Sequence, residues 1–343
     1  MSVVTIFIGP ADHIRLFYIK LYQCLLTGNE LKELLIAAEV GNIDRMRNLI
    51  DATKQWDLTD QWMTKGDRKG RTPLHLGAMY GYINVVEFIV NEIIDLCEEE
   101  MKQKYMNTLD NKGRTPLFYA AAEGRATVLE FLIEHGADME LGTNEIHYQP
   151  GSTPLMACAE KNEIECFNVL VEKGADLQKT RDDGADAFYI AARYGHVELI
   201  EGLFEYFNEI EEPEKIEKLA TTETFKNRTP LVTAAFHGHI TLCKLFFANG
   251  ASLDHKDDDG YTPLMYAASG NHQELVKYFI LHGADLNLKN RYGETAVKCA
   301  MVNKRYEIAK LIKTFTNDHE GDIDIAKKKE LLEAKNIGKK RKR

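Results

Sequence analysis

Cysteine is scarce in this 343-residue sequence, and its six copies, Cys24, Cys97, Cys158, Cys166, Cys243 and Cys299, form no CxxC couple. That spacing argues against a disulfide framework, and the cysteines read as reduced core or helix-surface residues of an intracellular chain, several of them on apolar helix faces. Long hydrophobic runs are missing too. No segment approaches eighteen uninterrupted apolar residues, so no membrane-spanning helix is expected. The opening MSVVTIFIGPADHIRLFYIKLYQCLL is apolar, but it has no basic n-region, and Gly9-Pro10 and Asp12 interrupt it, which argues against a signal peptide. Catalytic signatures are equally absent: there is no GxxxxGK[ST], HExxH or GxSxG, and no complete EF-hand loop. Around Asp257-Asp258-Asp259-Gly260 the alternate-residue acids and the distal Glu of a calcium loop do not line up, and the stretch reads as a turn. His237-Gly238-His239 offers only two imidazoles near a turn. No catalytic residue, cofactor or metal site is therefore expected.

What is present is repetition. The stretch DDDGYTPLMYAASGNHQELVKYFILHGADLN, from Asp257 to Asn287, contains one complete unit. Asp259-Gly260 marks a turn, because Gly reaches φ > 0 without a Cβ clash. Thr262 supplies a capping hydroxyl, and Pro263 occupies the first helical position, where a missing N–H costs nothing. The helix that starts there is short. Its small Ala267 and Ala268 let a neighbouring helix approach. Asn271 tolerates the left-handed turn into a second helix, whose Leu275, Val276, Phe279 and Ile280 make one apolar stripe. Gly283 closes that helix. A unit of this size buries too little apolar surface to stand alone and must stack on copies of itself.

The copies are found by aligning the Thr-Pro-Leu box: Thr72-Pro73-Leu74, Thr115-Pro116-Leu117, Thr153-Pro154-Leu155, Thr229-Pro230-Leu231 and Thr262-Pro263-Leu264. Two degraded boxes stand at Asp186-Ala187-Phe188 and Thr295-Ala296-Val297. Nine residues after the start of the first six boxes come Gly81, Gly124, Asn162, Gly195, Gly238 and Asn271, all comfortable at positive φ. Helix-ending glycines recur at Gly136, Gly174, Gly250 and Gly283.

With its turn, TPLHxAA box, Gly-His step and GAD ending, the sequence resembles the ankyrin-repeat family from about Glu30 to Thr316. The resemblance implies an all-α fold: an α-solenoid of helix-turn-helix repeats with β-turn fingers. The expected layout is an N-terminal helical cap over 1–29, about eight repeats over 30–316 and a flexible basic tail over 317–343. Repeat starts fall near 32, 72, 115, 153, 186, 229, 262 and 295. The first copy, LLIAAEVGNIDRMRNLI, lacks the Thr-Pro start, as an outermost repeat without an upstream neighbour would. The family period of thirty-three leaves four joints with insertions. The one after the Thr72 repeat is expected to lengthen the second helix, and the one after the Asp186 repeat to form a protruding loop or helix pair around Pro213. The Gly-His positions, His196, His239 and His272, have a structural role in the family.

Charge is unevenly spread. From Ala326 onward nine Lys and Arg stand against two Glu, so within an overall −10 the remainder of the chain carries −17, which disfavours direct nucleic-acid binding. The basic terminus Lys339-Lys340-Arg341-Lys342-Arg343 reads either as a nuclear-import signal or as a solvated end.

In ankyrin proteins the concave binding surface is formed by the finger turns and the exposed end of the first helix, positions expected to be free of packing duty. Here they carry Arg68, Lys69, Arg71, Lys112 and Arg114 on two adjacent fingers, with Tyr80 near the start and Tyr194, Phe225, Phe236, Tyr261 and Tyr292 farther along. A basic patch followed by aromatic side chains suits a peptide with an acidic end and apolar anchors. The expected protein is a monomeric, non-enzymatic adaptor or scaffold of the cytoplasm, or of the nucleus if the tail is an import signal, with a protein partner and no membrane. Two other readings stay open: a regulatory or targeting subunit of an enzyme complex, and the cytosolic ankyrin part of a larger membrane protein such as a channel.

Overall fold

The computed structural model describes residues 29–53, 63–92, 94, 97–144, 150–223 and 225–316. The cap expected before Asn29 and the basic tail, with its Lys339–Arg343 cluster, lie outside the described residues. All regular structure among the described residues is helical. Chain packing divides between Ala157 and Cys158 into two compact units.

In the first unit, helices α1 (Asn29–Glu39) and α2 (Ile43–Thr53) form one pair, and α3 (Pro73–Tyr80) and α4 (Ile83–Glu92) the next. A separate helix, α5 (Glu99–Met106), precedes the pair α6 (Pro116–Ala122) and α7 (Ala126–Glu134). Helix α8 (Pro154–Lys161) spans the division and pairs in sequence with α9 (Ile164–Glu172). The second unit continues with α10 (Ala187–Tyr194), α11 (Val197–Glu209) and an inserted α12 (Glu214–Thr221). Three further pairs follow: α13 (Pro230–His237) with α14 (Ile240–Ala248), α15 (Pro263–Ser269) with α16 (Gln273–Leu281), and α17 (Ala296–Val302) with α18 (Tyr306–Thr316). Within each unit first helices stack on first helices: α1, α3 and α6 in one, and α10, α13, α15 and α17 in the other.

Local chemistry sets these boundaries. Thr115, Thr229 and Thr262 accept the backbone N–H three residues on through their hydroxyls, at 3.0, 3.4 and 3.3 Å, and Pro follows each at the first helical position. The six residues expected at positive φ all adopt it, from Asn162 at 63° to Gly195 and Gly238 at 82°. Gly136, Gly174, Gly250 and Gly283 lie between 87° and 91°. Stacking is then close-packed: Ala120, Ala234, Ala235, Ala267 and Ala268 are fully buried, as are Phe167, Phe246 and Phe279 on second helices. Cys158, Cys166, Cys243 and Cys299 are buried thiols; Cys97 is half-buried and also unbridged, and Cys24 lies outside the described residues.

The insertions correct one expectation. After the Thr72 repeat the second helix is not lengthened; it ends at Glu92, and the separate α5 follows, burying Tyr105 and Met106. The insertion after the Asp186 repeat is a helix pair: α11 runs thirteen residues and turns through Glu211, at φ 60°, into α12. That pair does not protrude freely. Ile216, Leu219 and Ala220 form the buried face of α12, which packs on α11, α13 and α14.

Candidate functional site

Four of the fingers are tight turns organised by one polar side chain. In the first unit, Asp67 and Arg71 pair backbone to backbone at 3.0 Å, and Gly70 N–H returns to Asp67 C=O at 2.9 Å. One Asp67 carboxylate oxygen accepts the N–H groups of Lys69 and Arg71, at 2.8 and 3.0 Å. Asp110 does the same for Lys112 and Arg114, Asp257 for Asp259 and Tyr261, and Asn290 for Tyr292 and Glu294. The backbone forces this arrangement, because a turn with two inward N–H groups needs an acceptor wherever the finger meets the next repeat.

The second carboxylate oxygen is where the expected patch changes character. Arg71 Nη2 and Nε hold Asp67 Oδ2 at 2.6 and 2.8 Å, and Arg114 Nε donates to Asp110 Oδ2 at 3.1 Å beside the Tyr119 hydroxyl at 2.8 Å. Only 13% of the Arg71 side chain and 23% of the Arg114 side chain meet solvent. Burial works against the Asp67 carboxylate, yet the bonds from Arg71 and Lys69 outweigh it and hold its pKa below the ordinary value. Arg71 and Arg114 therefore do have packing duty, which corrects the expectation that these positions are free of it. Arg68 and Lys69 are exposed at the tip of their finger, and Lys112 is half-exposed on the next. Asn111 ties the two fingers together, its N–H to Lys69 C=O at 2.9 Å and its side-chain amide to Arg68 C=O at 3.1 Å. Tyr80 is stacked on Tyr82 and donates its hydroxyl to Glu39 at 3.2 Å, within electrostatic reach of Arg71.

In the second unit Tyr266 links two of the expected aromatic positions, Phe236 and Tyr261. Phe236 meets Tyr266 edge-on at 5.1 Å, and Tyr261 stacks on Tyr266 at 5.0 Å. Arg228 lies over both Phe236 and Tyr266, at 5.2 and 5.1 Å, while its Nε donates to the buried Asp257 Oδ2 at 3.2 Å. Tyr266 also donates to Asp257, at 2.5 Å; burial first, and this bond second, push the phenol pKa up. Tyr292 stands one finger on, 61% exposed under the Arg291 guanidinium. Phe236 and Tyr194 are each 43% exposed, and Arg193 covers the Tyr194 ring at 5.8 Å. The Phe225 side chain lies outside the described residues.

Sequence reasoning passed over Tyr119, Tyr266 and the finger aspartates. The readable signal was the spacing itself: an Asp nine residues before a Tyr, flanking Gly-Arg-Thr-Pro-Leu or Gly-Tyr-Thr-Pro-Leu. His75 is a second such device. Its Nδ1 accepts Thr72 N–H at 3.1 Å, which leaves Nε2–H to donate to Arg114 C=O, 2.9 Å away on the next repeat. Burial lowers its pKa to about 4, consistent with a neutral imidazole in that role. The Gly-His step works alike: His196 Nε2 reaches Glu160 C=O at 3.2 Å and His239 Nε2 reaches Arg193 C=O at 3.0 Å. His237 is held unprotonated by burial and by the nearby His239, with a pKa near 4. Among the described residues no group of three or more His, Cys, Asp or Glu is placed to hold a metal ion, and no helix is long and apolar enough to cross a membrane.

Comparison with known proteins agrees with this geometry. No curated protein sequence matches the chain. Among solved structures, the ankyrin repeat domain of Bcl-3, a member of the IkappaB protein family, is similar in fold, with a TM-score of 0.56 and 23% sequence identity. That match covers 71% of this chain and 100% of the Bcl-3 chain. A family model for ankyrin repeats in three copies matches residues 34–143, 140–214 and 231–325, most of the sequence. The chain belongs to the ankyrin-repeat family, whose members are generally protein–protein interaction modules.

Proposed function

We propose that this protein is a non-enzymatic adaptor or scaffold that holds a partner protein on its finger face. The observation that carries the reading is the division of labour within each finger. Asp67, Asp110 and Asp257 are spent on internal bonding, whereas Arg68, Lys69, Phe236 and Tyr292 sit on the same turns or helix ends and are exposed. Arg and aromatic side chains held on a rigid backbone are the usual high-energy contacts of protein interfaces. Arg68, Lys69 and Lys112 in the first unit suit carboxylates, and Tyr194, Phe236, Tyr261 and Tyr292 in the second suit apolar or aromatic anchors. The partner protein proposed therefore offers acidic groups as well as apolar ones. A catalytic role has little to draw on, since the buried Asp257, Asp110 and His75 are each engaged in hydrogen bonds that build the repeat. If the Lys339–Arg343 terminus acts as an import signal, the site of action extends to the nucleus.

The test is affinity capture by the full chain beside two variants, Arg68→Glu/Lys69→Glu and Phe236→Ala/Tyr292→Ala, with mass spectrometry of the retained proteins. A protein held by the wild type and lost from either folded variant identifies the ligand and its end of the site. Retention of the same proteins by both variants would remove the finger face from consideration.

A further inference from the structure

The Asp186 repeat is the one place in the second unit where the repeat is enlarged, and the enlargement makes a trough. Alpha-helix α11 has thirteen residues, against nine in each of α9, α14 and α16, and α12 is inserted behind it. Between the turn that ends α9 and the surface of α12 lies a groove of about 320 Å³, with Val171, Leu177, Phe207, Ile210 and Leu219 among its walls. Ile210 is 42% exposed there, a large apolar side chain with no cover. A second hollow of about 200 Å³ shares Val171 and Tyr206 with the first and runs between α9 and α11 over Gly202.

Charge is sorted along this trough. On α12, Lys215 and Lys218 face the groove, which Asp176 also lines from the turn after α9, so its charge is mixed with two lysines to one acid, whereas Glu217 faces away, toward Gly250 of the following repeat. Lys215 is paired with Glu212 and lies over the Phe207 ring at 5.3 Å; Lys218 forms no ion pair among the described residues. At the other end the second hollow is walled by Glu172, Glu205 and Glu209. Gly202 is the remaining clue. It stands inside α11, where Gly costs about 1 kcal/mol relative to Ala. Its φ is not positive, and an added Cβ would meet nothing within 4 Å. Neither backbone conformation nor packing within the chain calls for glycine there, but an occupant lying across the hollow would.

We propose that this trough is a second docking site, separate from the finger face, for a short segment of a partner protein with a fixed order of side chains. Basic residues of that segment lie against Glu172, Glu205 and Glu209, an apolar anchor fills the groove beside Ile210 and Phe207, and an acidic residue meets Lys218. A uniformly basic segment is disfavoured, because it would set like charge against Lys215 and Lys218. Oppositely charged ends fix the direction in which the segment lies, while the apolar centre supplies most of the attraction.

The probe is a display library of random twelve-residue peptides, selected on the full-length chain, with enriched peptides measured by fluorescence polarisation. Enrichment of a basic–apolar–acidic order is expected, with binding weakened at least tenfold by Lys218→Glu and by Gly202→Leu. The same peptides should bind Arg68→Glu/Lys69→Glu unchanged, which separates this trough from the finger site. Gly202→Ala controls for folding, since it should raise the unfolding midpoint while narrowing the hollow by one methyl. The proposal is overturned if no such peptide is enriched, if both trough variants bind as the wild type does, or if only the finger variant loses binding.

Discussion

Asp186 opens α10 where the intact boxes have Thr, and replacing it with Thr should stabilise the protein in a pH-dependent way. The carboxylate caps the helix, accepting Tyr189 N–H at 2.6 Å, but the residue is only 5% exposed. Burial raises its pKa to about 6 from the ordinary 3.8, and the capping bonds offset only part of that rise. A carboxyl that holds its proton more tightly when folded favours the fold when protonated. The position is therefore harmless below about pH 3.8, becomes steadily more costly as pH rises toward 6, and carries its full cost above that. At 1.36 kcal/mol per tenfold change in proton affinity, the full cost has a ceiling of roughly 3 kcal/mol. Threonine keeps a capping oxygen, as Thr115 and Thr262 show, and has no charge to bury. Asp186→Thr should then gain about 1–2 kcal/mol near neutral pH and less than about 0.5 kcal/mol near pH 4. Urea unfolding followed by circular dichroism at both pH values measures the difference directly, and Asp186→Asn, which keeps the shape without the charge, should behave like the Thr variant. An equal gain at both pH values, or a loss for Asn at neutral pH, would mean that the carboxylate is not strained by burial and would refute the reasoning.

The remaining predictions concern the bonds that hold the fingers and turns. Asp257→Ala takes the carboxylate partner from the half-buried Arg228 guanidinium and from the Tyr266 hydroxyl, and should cost about 3–5 kcal/mol in chemical unfolding, whereas Tyr266→Phe removes two bonds, the one donated to Asp257 and the one accepted from Arg228, and should cost roughly 1.5–3 kcal/mol. Gly238→Ala puts a side chain at φ 82° and drives its Cβ into the His272 ring; a loss of at least about 1–2 kcal/mol is expected, and a neutral result in a thermal melt would contradict the close approach. Arg71→Ala should lower the unfolding midpoint, because it leaves Asp67 without its guanidinium partner, while Arg68→Ala, on the same finger but exposed, should fall within about 0.5 kcal/mol of wild type; equal effects would show that the two arginines do not differ in role.

Much of this architecture was readable because it depends on backbone geometry, which few residues can satisfy. Asn162 and Asn271 stand where glycine stands in other repeats, and all reach positive φ, so the residue types alone located the turns. The Thr-Pro boxes located helix starts for the same reason. The candidate site was harder to read because side-chain partners depend on neighbours that sequence order does not reveal. Arg71 and Arg68 look equivalent in GDRKGRTP, yet one closes on Asp67 and the other faces solvent. Arg228 occupies the place of Arg114 before its Thr-Pro, but it reaches the Asp257 of the following repeat rather than an acid of its own finger. The insertion after Phe88 kept helical spacing through Ile93, Ile94 and Cys97 and so looked like a longer helix; apolar periodicity does not say whether one helix or two present the stripe.

The bonds between neighbouring repeats explain why a chain built this way suits recognition. Asn111, Asp258 and Arg291 each donate a backbone N–H to the finger before them, and His239 and Arg125 each donate to a carbonyl near the end of a preceding first helix. These contacts use groups that every finger and helix end must satisfy anyway, so they fix position without consuming the exposed side chains. A partner that meets Arg68, Lys69 or Tyr292 therefore meets groups whose backbone is already ordered, and little ordering entropy is charged against binding. Identity then has to come from what the bonding scheme leaves free: the finger tips, and the enlarged repeat around α11 and α12. The finger tips vary by single side chains, whereas the enlargement changes the shape of the surface itself. A partner that used both would be selected by charge at one and by shape at the other, so that variants at the two sites should weaken its binding by independent, multiplicative factors.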